Sequence, residues 1–170
     1  LQHKKKWSAK KNYPFTGIIH NQNNVFINVW NKGLHRLQSD TLFPIVSGFY
    51  TKNNEILFSL PYSEDRILIG TDDNKLRLFD GMKYYDYEIK ENSYLNESIV
   101  SGAINLSDST FAVSTLAGGA IIINKKLNEI EHTINYQTGL PDDEVFTLGM
   151  DNNNGLWISH DKGLSRADLG

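Results

Sequence analysis

The stretch DNNNGLWISHDKGLSRADL, residues 151–169, is the part of the sequence that decides the fold prediction. It contains a polar turn, a short apolar strand led by Leu-Trp-Ile, a second turn, a Gly-Leu pair and another short strand. Asn and Gly in such turns supply the positive φ angles that tight hairpins require. The stretch therefore predicts two antiparallel strands joined by a hairpin.

Three weaker copies of this layout lie upstream, as VFINVWNKGLHRLQSD (residues 25–40), ILIGTDDNKLRLFD (67–80) and TFAVSTLAGGAIII (110–123). The leucine of the Gly-Leu pair aligns with Leu34, Leu76, Ala120 and Leu164, at intervals of 42, 44 and 44 residues. A small residue near the end of the preceding strand recurs at Asn28, Gly70, Ser114 and Ser159. A constant period of this length indicates a repeat architecture.

Each copy also has strands on either side of it. An apolar strand precedes each copy, as FTGIIH (15–20), EILFSL (55–60), IVSGAINL (99–106) and VFTLGM (145–150). Outer strands are predicted at TLFPIV (41–46), KYYDYEIK (83–90) and EIEHTINY (129–136). Four short strands in about 43 residues are typical of a β-propeller blade, and no segment combines a helical period with caps.

The predicted fold class is therefore all-β, with about four four-stranded antiparallel blades in one propeller segment covering residues 1–170. The blade cores are predicted at residues 15–50, 55–90, 99–136 and 145–170. Residues 1–14 are predicted to form an outer strand that completes or precedes a blade. An excerpt of a longer array is favoured over a closed ring of four blades, and the ring stays open as an alternative.

The central strands of a blade bury both faces between neighbouring blades, which explains why these strands lack a simple polar–apolar alternation. The prediction is that five apolar residues form inter-blade contacts in the last copy, and that the tryptophan among them is a core residue. They are Phe146, Leu148, Met150, Trp157 and Ile158.

Composition excludes several function classes. With 39% hydrophobic and 22% charged residues the chain is typical of a soluble folded domain, and its longest aliphatic run is far too short for a membrane span. The absence of cysteine excludes disulfides, Cys-ligated zinc and thiol catalysis. Five of the 17 basic residues lie within residues 1–14, which leaves 12 against 20 acidic residues in the remainder. An acidic body does not attract polyanions, so neither nucleic-acid nor membrane contact is expected.

Residues 138–168 resemble the two-component regulator propeller repeat. That repeat has a Gly-Leu-Pro turn, a strand led by Val, an Asp-to-Gly turn, Leu-Trp-Ile-Gly-Thr, and Gly-Leu with an Arg-Tyr-Asp-like end. The matching residues are Gly139, Leu140, Pro141, Val145, Asp151, Gly155, Leu156, Trp157, Ile158, Gly163, Leu164, Arg166 and Asp168. The sequence departs from the repeat with Ser159 and His160 at the Gly-Thr pair and Ala167 at the usual aromatic position.

The resemblance implies a segment of the extracytoplasmic propeller of a bacterial sensor, and hence a periplasmic or extracellular location. In that family the propellers precede an immunoglobulin-like domain, a membrane helix and a kinase or DNA-binding output, and members often sense oligosaccharides. The expected partners are an oligosaccharide or another small ligand, together with neighbouring blades or a second copy of the chain. No cofactor is expected.

Ligands of propellers usually lie over one end of the central channel, which is built here from the turns between second and third strands. A flat aromatic ring beside amides and carboxylates suits a sugar. The candidate ligand-binding residues in these turns are Trp30, Asn31 and Lys32; Asp72, Asp73 and Asn74; Leu116 and Ala117; and His160, Asp161 and Lys162. Candidates from the connections between blades are Tyr94, Asn96, Gln137, Asp142 and Asp143. For Trp30 the alternative is packing against its own blade.

The residues give less support for metal binding or catalysis. DNNNG at residues 151–155 has some features of a calcium loop but lacks the spaced acids and terminal Glu of an EF-hand. The five histidines have no metal-binding spacing, and no nucleophile elbow or phosphate loop occurs. The alternatives that remain are a protein-interaction or self-association scaffold and, third, a propeller-type polysaccharide lyase or glycosidase.

Overall fold

A meander of antiparallel strands, repeated four times, makes up nearly all regular structure of the protein. The computed structural model describes residues 2, 4–45 and 51–170. The first sheet contains β1 (Phe15–His20), β2 (Val25–Val29), β3 (Gly33–Gln38) and β4 (Thr41–Pro44). The second contains β5 (Ile56–Pro61), β6 (Ile67–Thr71), β7 (Lys75–Phe79) and β8 (Tyr84–Asp86).

The third sheet contains β9 (Val100–Asn105), β10 (Thr110–Thr115), β11 (Ala120–Asn124) and β12 (Glu129–Ile134). The fourth contains three strands, β13 (Val145–Met150), β14 (Gly155–His160) and β15 (Gly163–Asp168). Every pairing joins strands that are consecutive in the chain, as the repeat predicted. The fold is therefore that of β-propeller blades, and the predicted fold class is confirmed.

The small residues that marked the repeat lie at equivalent places in the ladders. Asn28, Gly70, Ser114 and Ser159 pair with Leu34, Leu76, Ala120 and Leu164, respectively. The period read from the sequence is therefore the period of the structure.

Three hydrophobic clusters hold neighbouring sheets together. The cluster between the first and second sheets includes Phe26, Leu34 and Ile69, and the cluster between the third and fourth includes Ala120 and Ile158. The largest cluster joins the second and third sheets through residues such as Leu68, Leu76, Phe111 and Ile121. Each sheet thus packs face to face with the next, which is why the central strands are apolar on both sides.

The innermost strands β1, β5, β9 and β13 lie side by side in chain order. Among the described residues, β13 and β1 make no comparable contact. The four sheets therefore leave one face of the first sheet and one face of the fourth without a neighbouring sheet. Within the same residues no helix is both long and apolar enough to cross a membrane.

Two aromatic residues of the fourth sheet are more exposed than the sequence predicted. Leu148, Met150 and Ile158 belong to the cluster against the third sheet, as predicted. Trp157 is 38% exposed and Phe146 is 46% exposed, so the prediction of a core tryptophan is wrong. Trp157 lies on the face opposite to Ile158, and in the described part of the chain no further sheet packs there.

Two further predictions need correction. Residues 2 and 4–14 contain no strand. The segment is fixed to the first sheet, because Trp7 Nε1 donates to Asp40 O at 3.2 Å and Lys5 pairs with the Asp40 carboxylate, and so it does not pair with β15. The sequence also failed to predict one short helix, α1 (Asn92–Ser98), which has no side-chain cap. Residue 46 of the predicted strand TLFPIV and residues 46–50 of the first blade core lie outside the described residues.

Candidate functional site

Four turns, each joining the second strand of a sheet to the third, gather at one end of the molecule. These rim turns comprise residues 30–32, 72–74, 116–119 and 161–162. The first backbone N–H of each turn donates to the carbonyl oxygen of the residue just before the inner strand of the same sheet. The bonds are Trp30 to Pro14 at 3.0 Å, Asp72 to Glu55 at 3.1 Å, Leu116 to Ile99 at 2.8 Å and Asp161 to Glu144 at 3.2 Å.

Three of the rim turns are also hydrogen-bonded to the connection that leads into the next sheet. Asn31 N donates to Lys52 O at 3.0 Å, and Gly119 N donates to Asp143 O at 2.9 Å. Asn74 accepts from Val100 N at 2.8 Å through Oδ1 and donates to Asn96 O through Nδ2. Residues in these turns adopt positive φ, which Asn and Gly tolerate. The rim turns therefore couple each sheet to the following one.

The first rim turn presents an aromatic ring, an amide and an amine close together. Trp30 is half-buried, so the ring neither lies free in solvent nor enters the core. Asn31 and Lys32 are exposed, and Lys32 Nζ lies 4.4 Å from the centre of the Tyr13 ring. Stacking and hydrogen bonding of these side chains with a polyol stay a prediction.

The second rim turn presents two carboxylates that already have partners. Asp72 is exposed, and its Oδ1 accepts the backbone N–H of Glu55 at 3.0 Å. Asp73 accepts the Thr71 hydroxyl at 2.6 Å, and its other oxygen lies 3.8 Å from the Arg77 guanidinium. One oxygen of Asp72 thus remains directed to solvent, whereas the carboxylate of Asp73 is held by its own hairpin.

The third and fourth rim turns expose few of the polar side chains that a ligand could bind. Leu116 and Ala117 are exposed but offer no polar side chain. His160 is 5% exposed, with Nε2 placed 2.9 Å from Ser165 Oγ, so it is not among the side chains that face solvent. His160 is buried because alternation along β14 places it on the same face as Ile158, against the third sheet. Asp161 and Lys162 are exposed.

The residues predicted between blades mostly stabilise the connections themselves. The Tyr94 hydroxyl donates to Gly118 O at 3.0 Å, and Asp143 Oδ1 accepts Tyr136 N at 2.6 Å. The backbone N–H of Glu144 and the Lys162 amine hold the pKa of Asp142 below its usual range. Asn96 and Gln137 are exposed.

One cluster in the fourth sheet was part of the sequence resemblance, but its physical role was not foreseen. Asp151 Oδ1 accepts the backbone N–H groups of Asn153 at 2.8 Å and Gly155 at 2.9 Å. Its Oδ2 accepts Trp157 Nε1 at 2.9 Å and Arg166 Nε at 2.8 Å. The Arg166 guanidinium, followed by the Gly155 N–H and the Trp157 indole, lowers the pKa of Asp151.

In this chain the cluster joins all three strands of the sheet through Asp151, Trp157 and Arg166. The spacing of these residues was visible in the sequence, but their mutual contact depends on strand register. Four N–H donors surround the Asp151 carboxylate, and this arrangement does not suit a cation. The DNNNG segment is therefore a hairpin turn held by hydrogen bonds to Asp151. No group of three His, Asp or Glu suited to a metal occurs in residues 2, 4–45 and 51–170.

Two grooves, each of about 840 Å³, lie away from the rim at the outer edges of the sheets. One lies between the first and second sheets and is lined by residues such as Arg36, Phe43 and Lys83. The other lies between the third and fourth sheets, beside the open edge of β15, and is lined by residues such as Ile134 and Leu169. Neither groove contains any of the predicted ligand-binding residues.

Comparisons with known proteins support the fold. No family model matches the chain, and no curated protein matches it in sequence. In structure the chain is similar to the extracellular domain of BT4673 from B. thetaiotaomicron, described as a hybrid two-component system, with a TM-score of 0.71 and 16% identity over 91% of this chain and 23% of that one. It is also similar to the extracellular domain of the hybrid two-component system BT3049 from B. thetaiotaomicron, with a TM-score of 0.70 and 17% identity over 94% of this chain and 24% of that one.

A third similar structure is the β-propeller domain of Cps50 (Swd1) from Myceliophteria thermophila. Its TM-score is 0.58 and its identity 12%, over 92% of this chain and 52% of that one. At these identities the likeness defines the fold class, β-propeller blades, and nothing finer. The chain spans about a quarter of the length of the two bacterial structures.

Proposed function

We propose that this chain is a non-catalytic, ligand-sensing segment of the extracytoplasmic propeller of a bacterial two-component receptor. The observation that carries this proposal is the likeness of nearly the whole chain to two extracellular domains of hybrid two-component systems. The resemblance of residues 138–168 to the two-component regulator propeller repeat supports it independently, because that resemblance rests on residues and not on shape. The proposed location is periplasmic or extracellular.

The proposed ligand is an oligosaccharide bound at the rim turns. Supporting features are the half-buried Trp30 ring, the exposed amide of Asn31, the amine of Lys32 and the solvent-directed oxygen of Asp72. Together they offer one stacking surface with both donors and acceptors, which is what a neutral polyol needs. Asp161 and Lys162 extend the polar rim at the fourth sheet.

The coupling of the rim turns suggests how binding would be transmitted. Asn31 and Asn74 hydrogen-bond to the connection that enters the next sheet, so a ligand that contacts their turns acts on the junction between sheets. A ligand that binds one arrangement of the junctions more tightly shifts the population toward it. The proposed mechanism is therefore a change in the relative position of neighbouring sheets.

The absence of catalysis is proposed because the acidic groups of the rim are engaged separately. Asp72 is bonded to Glu55 N, Asp73 to the Thr71 hydroxyl, and Asp142 forms an ion pair with Lys162 at 3.3 Å. A glycosidase needs two carboxyl groups that face each other across the scissile bond.

Isothermal titration calorimetry with a panel of oligosaccharides tests the site. We expect one class of oligosaccharide to bind the chain and expect the affinity to fall at least about tenfold in Trp30→Ala and in Asp72→Ala, as loss of a stacking surface or of a charged hydrogen bond predicts. The matched controls are Trp7→Ala and Asp108→Ala, which remove an exposed tryptophan and an exposed aspartate away from the rim turns. Binding that both rim variants leave unchanged would refute the site, and a panel without any binding would refute the choice of ligand class.

A further inference from the structure

The groove between the first and second sheets is bounded by the two faces that form the apolar cluster of this junction. Arg36 lies two residues beyond Leu34 on β3, and Phe43 lies opposite Arg36 in the ladder, so all three side chains are on the face toward the second sheet. Across the groove, the second sheet contributes Arg77 and, opposite it in the ladder, Asp86. Both sheets have four strands, and the groove therefore lies inside the repeat.

Smaller side chains explain why this junction has a groove where the next junction is filled. Between the second and third sheets, Tyr62 and Tyr87 pack on the apolar cluster with their ring centres 5.5 Å apart. Their equivalents one repeat earlier are Asn21 and Ile45. Asn21 N and Tyr62 N each donate across the turn after the inner strand, and Ile45 N and Tyr87 N each donate to the repeat leucine of the third strand. An amide and an aliphatic side chain fill less space than two aromatic rings, so the outer part of the first junction stays open.

The size and the apolar lining of the groove suit a small ligand. Its volume is about 840 Å³, and small-molecule sites typically have roughly 300–1,000 Å³. Phe43 is 47% exposed and Met82 is 70% exposed, and both line the groove together with Pro44 and Ile45. Covering such side chains with an apolar group removes apolar surface from water, which is favourable. The groove therefore favours a ligand with an apolar body.

Two cations that line the groove have no acidic partner. In the described part of the chain, neither the Arg36 guanidinium nor the Lys83 amine forms an ion pair. Arg77, by contrast, lies 3.2 Å from Asp86 Oδ1. Asp80, close to Lys83 in sequence, accepts two N–H groups of its own turn and a tyrosine hydroxyl. Two cations beside apolar side chains favour an anionic group on the ligand, and the planar guanidinium suits a carboxylate.

The second groove provides an internal comparison. It has the same volume of about 840 Å³, but its acidic lining residues are Glu131 and Asp168, together with His132. Residues 15–170 as a whole contain 12 basic and 20 acidic residues. The positive charge of the first groove is therefore a property of that place and not of the protein surface in general.

We propose that the groove between the first and second sheets binds a small organic acid with an apolar body, such as an aryl or medium-chain alkyl carboxylate. The carboxylate of the ligand accepts hydrogen bonds from Arg36 and Lys83, and its apolar body covers Phe43 and Met82. The groove is separate from the rim turns, so this proposal does not depend on the oligosaccharide proposed there.

Isothermal titration calorimetry with 2-naphthoate as the probe tests the proposal. We expect one molecule to bind per chain with a Kd below about 1 mM, and 2-naphthalenemethanol, which has the same ring system without the charge, to bind at least about tenfold more weakly. Arg36→Gln and Lys83→Gln should each weaken the binding of 2-naphthoate at least about fivefold. Phe43→Ala should weaken it by a similar factor, because it removes apolar contact surface.

Matched controls separate this groove from the rest of the surface. Lys126→Gln and Leu127→Ala change exposed residues in the turn after β11, outside both grooves, and should leave the binding of 2-naphthoate unchanged. Trp30→Ala should also leave it unchanged, since Trp30 belongs to the rim turns. Arg36→Lys keeps the positive charge and should retain most of the affinity.

Three outcomes would overturn the proposal, once circular dichroism has established that each variant is folded. The first is a chain that does not bind 2-naphthoate. The second is equal affinity for 2-naphthoate and the neutral alcohol, which would remove the role of the two cations. The third is binding that Arg36→Gln and Lys83→Gln leave unchanged, or that Trp30→Ala abolishes, because the probe would then lie elsewhere on the protein.

Discussion

Replacing Leu76 by alanine measures how much the packing between the second and third sheets stabilises the fold. Leu76 is 4% exposed and belongs to the cluster between the second and third sheets. The change removes three carbon atoms, worth roughly 2–2.5 kcal/mol of transfer free energy, and leaves a cavity that raises the total loss to about 3–4 kcal/mol. For a chain of this length that corresponds to a fall in Tm of roughly 6–16 °C.

The measurement is urea unfolding followed by circular dichroism, with the free energy of unfolding taken from the midpoint and slope. The expected result is a lower midpoint with an unchanged slope, since the surface exposed on unfolding hardly changes. Leu127→Ala is the matched control, and because Leu127 is 50% exposed it should change the free energy of unfolding by less than about 0.5 kcal/mol. Equal effects of the two substitutions would refute face-to-face packing of the second and third sheets.

Three further predictions concern single residues. Asp151→Asn should lower the Tm at neutral pH, and the difference from the parent chain should shrink as the pH falls below about 4. The reason is that a carboxylate with a lowered pKa stabilises the fold above its unfolded pKa and loses that effect when it is protonated. Thermal unfolding at several pH values measures this difference. Asn74→Ala should cost about 1–3 kcal/mol in urea unfolding, because it removes the acceptor of Val100 N and places alanine at φ 61°; a loss below 0.5 kcal/mol would contradict the role of that turn. Gly119→Ala should prevent a soluble fold or lower the Tm strongly, because a Cβ there would overlap Ile134 O at φ 77°. Gly149→Ala, with open space around it and no positive φ, should be mild; comparable soluble yields and Tm values for the two variants would contradict this.

Much of the fold could be predicted from the sequence because the repeat restates the same physical pattern four times. The spacing of Leu34, Leu76, Ala120 and Leu164 predicted ladder positions that the structure confirms. Turn residues with positive φ predicted where each hairpin reverses. Such local signals survive in a single sequence.

The failures concern properties that depend on what lies beside a sheet. Trp157 has the residue type and register of a core position, but its exposure depends on a neighbouring sheet and cannot be read from its own strand. The helix α1 is seven residues long and has no side-chain cap, so it leaves little trace in the sequence. The strand predicted at residues 1–14 assumed a pairing edge that the segment does not reach.

The candidate site was predicted at the level of turns and less well at the level of side chains. The rim turns were identified correctly as one end of the molecule, because they follow from strand order. Strand alternation and hydrogen bonds decide which side chains face solvent. His160 is buried for this reason, and Asp73 and Asn74 form hydrogen bonds within the protein. Ligand binding by Trp30, Asn31, Lys32, Asp72, Asp161 and Lys162 stays a prediction.

Nuclear Overhauser effects between methyl groups test the central claim, the packing of four sheets side by side in chain order, most directly. The account predicts contacts of Leu34 with Ile69, of Leu76 with Ile121 and of Ala120 with Ile158, each within one cluster between consecutive sheets. Contacts that join Leu34 to Ile121 or Ile158, as in a two-layered sandwich, would contradict it.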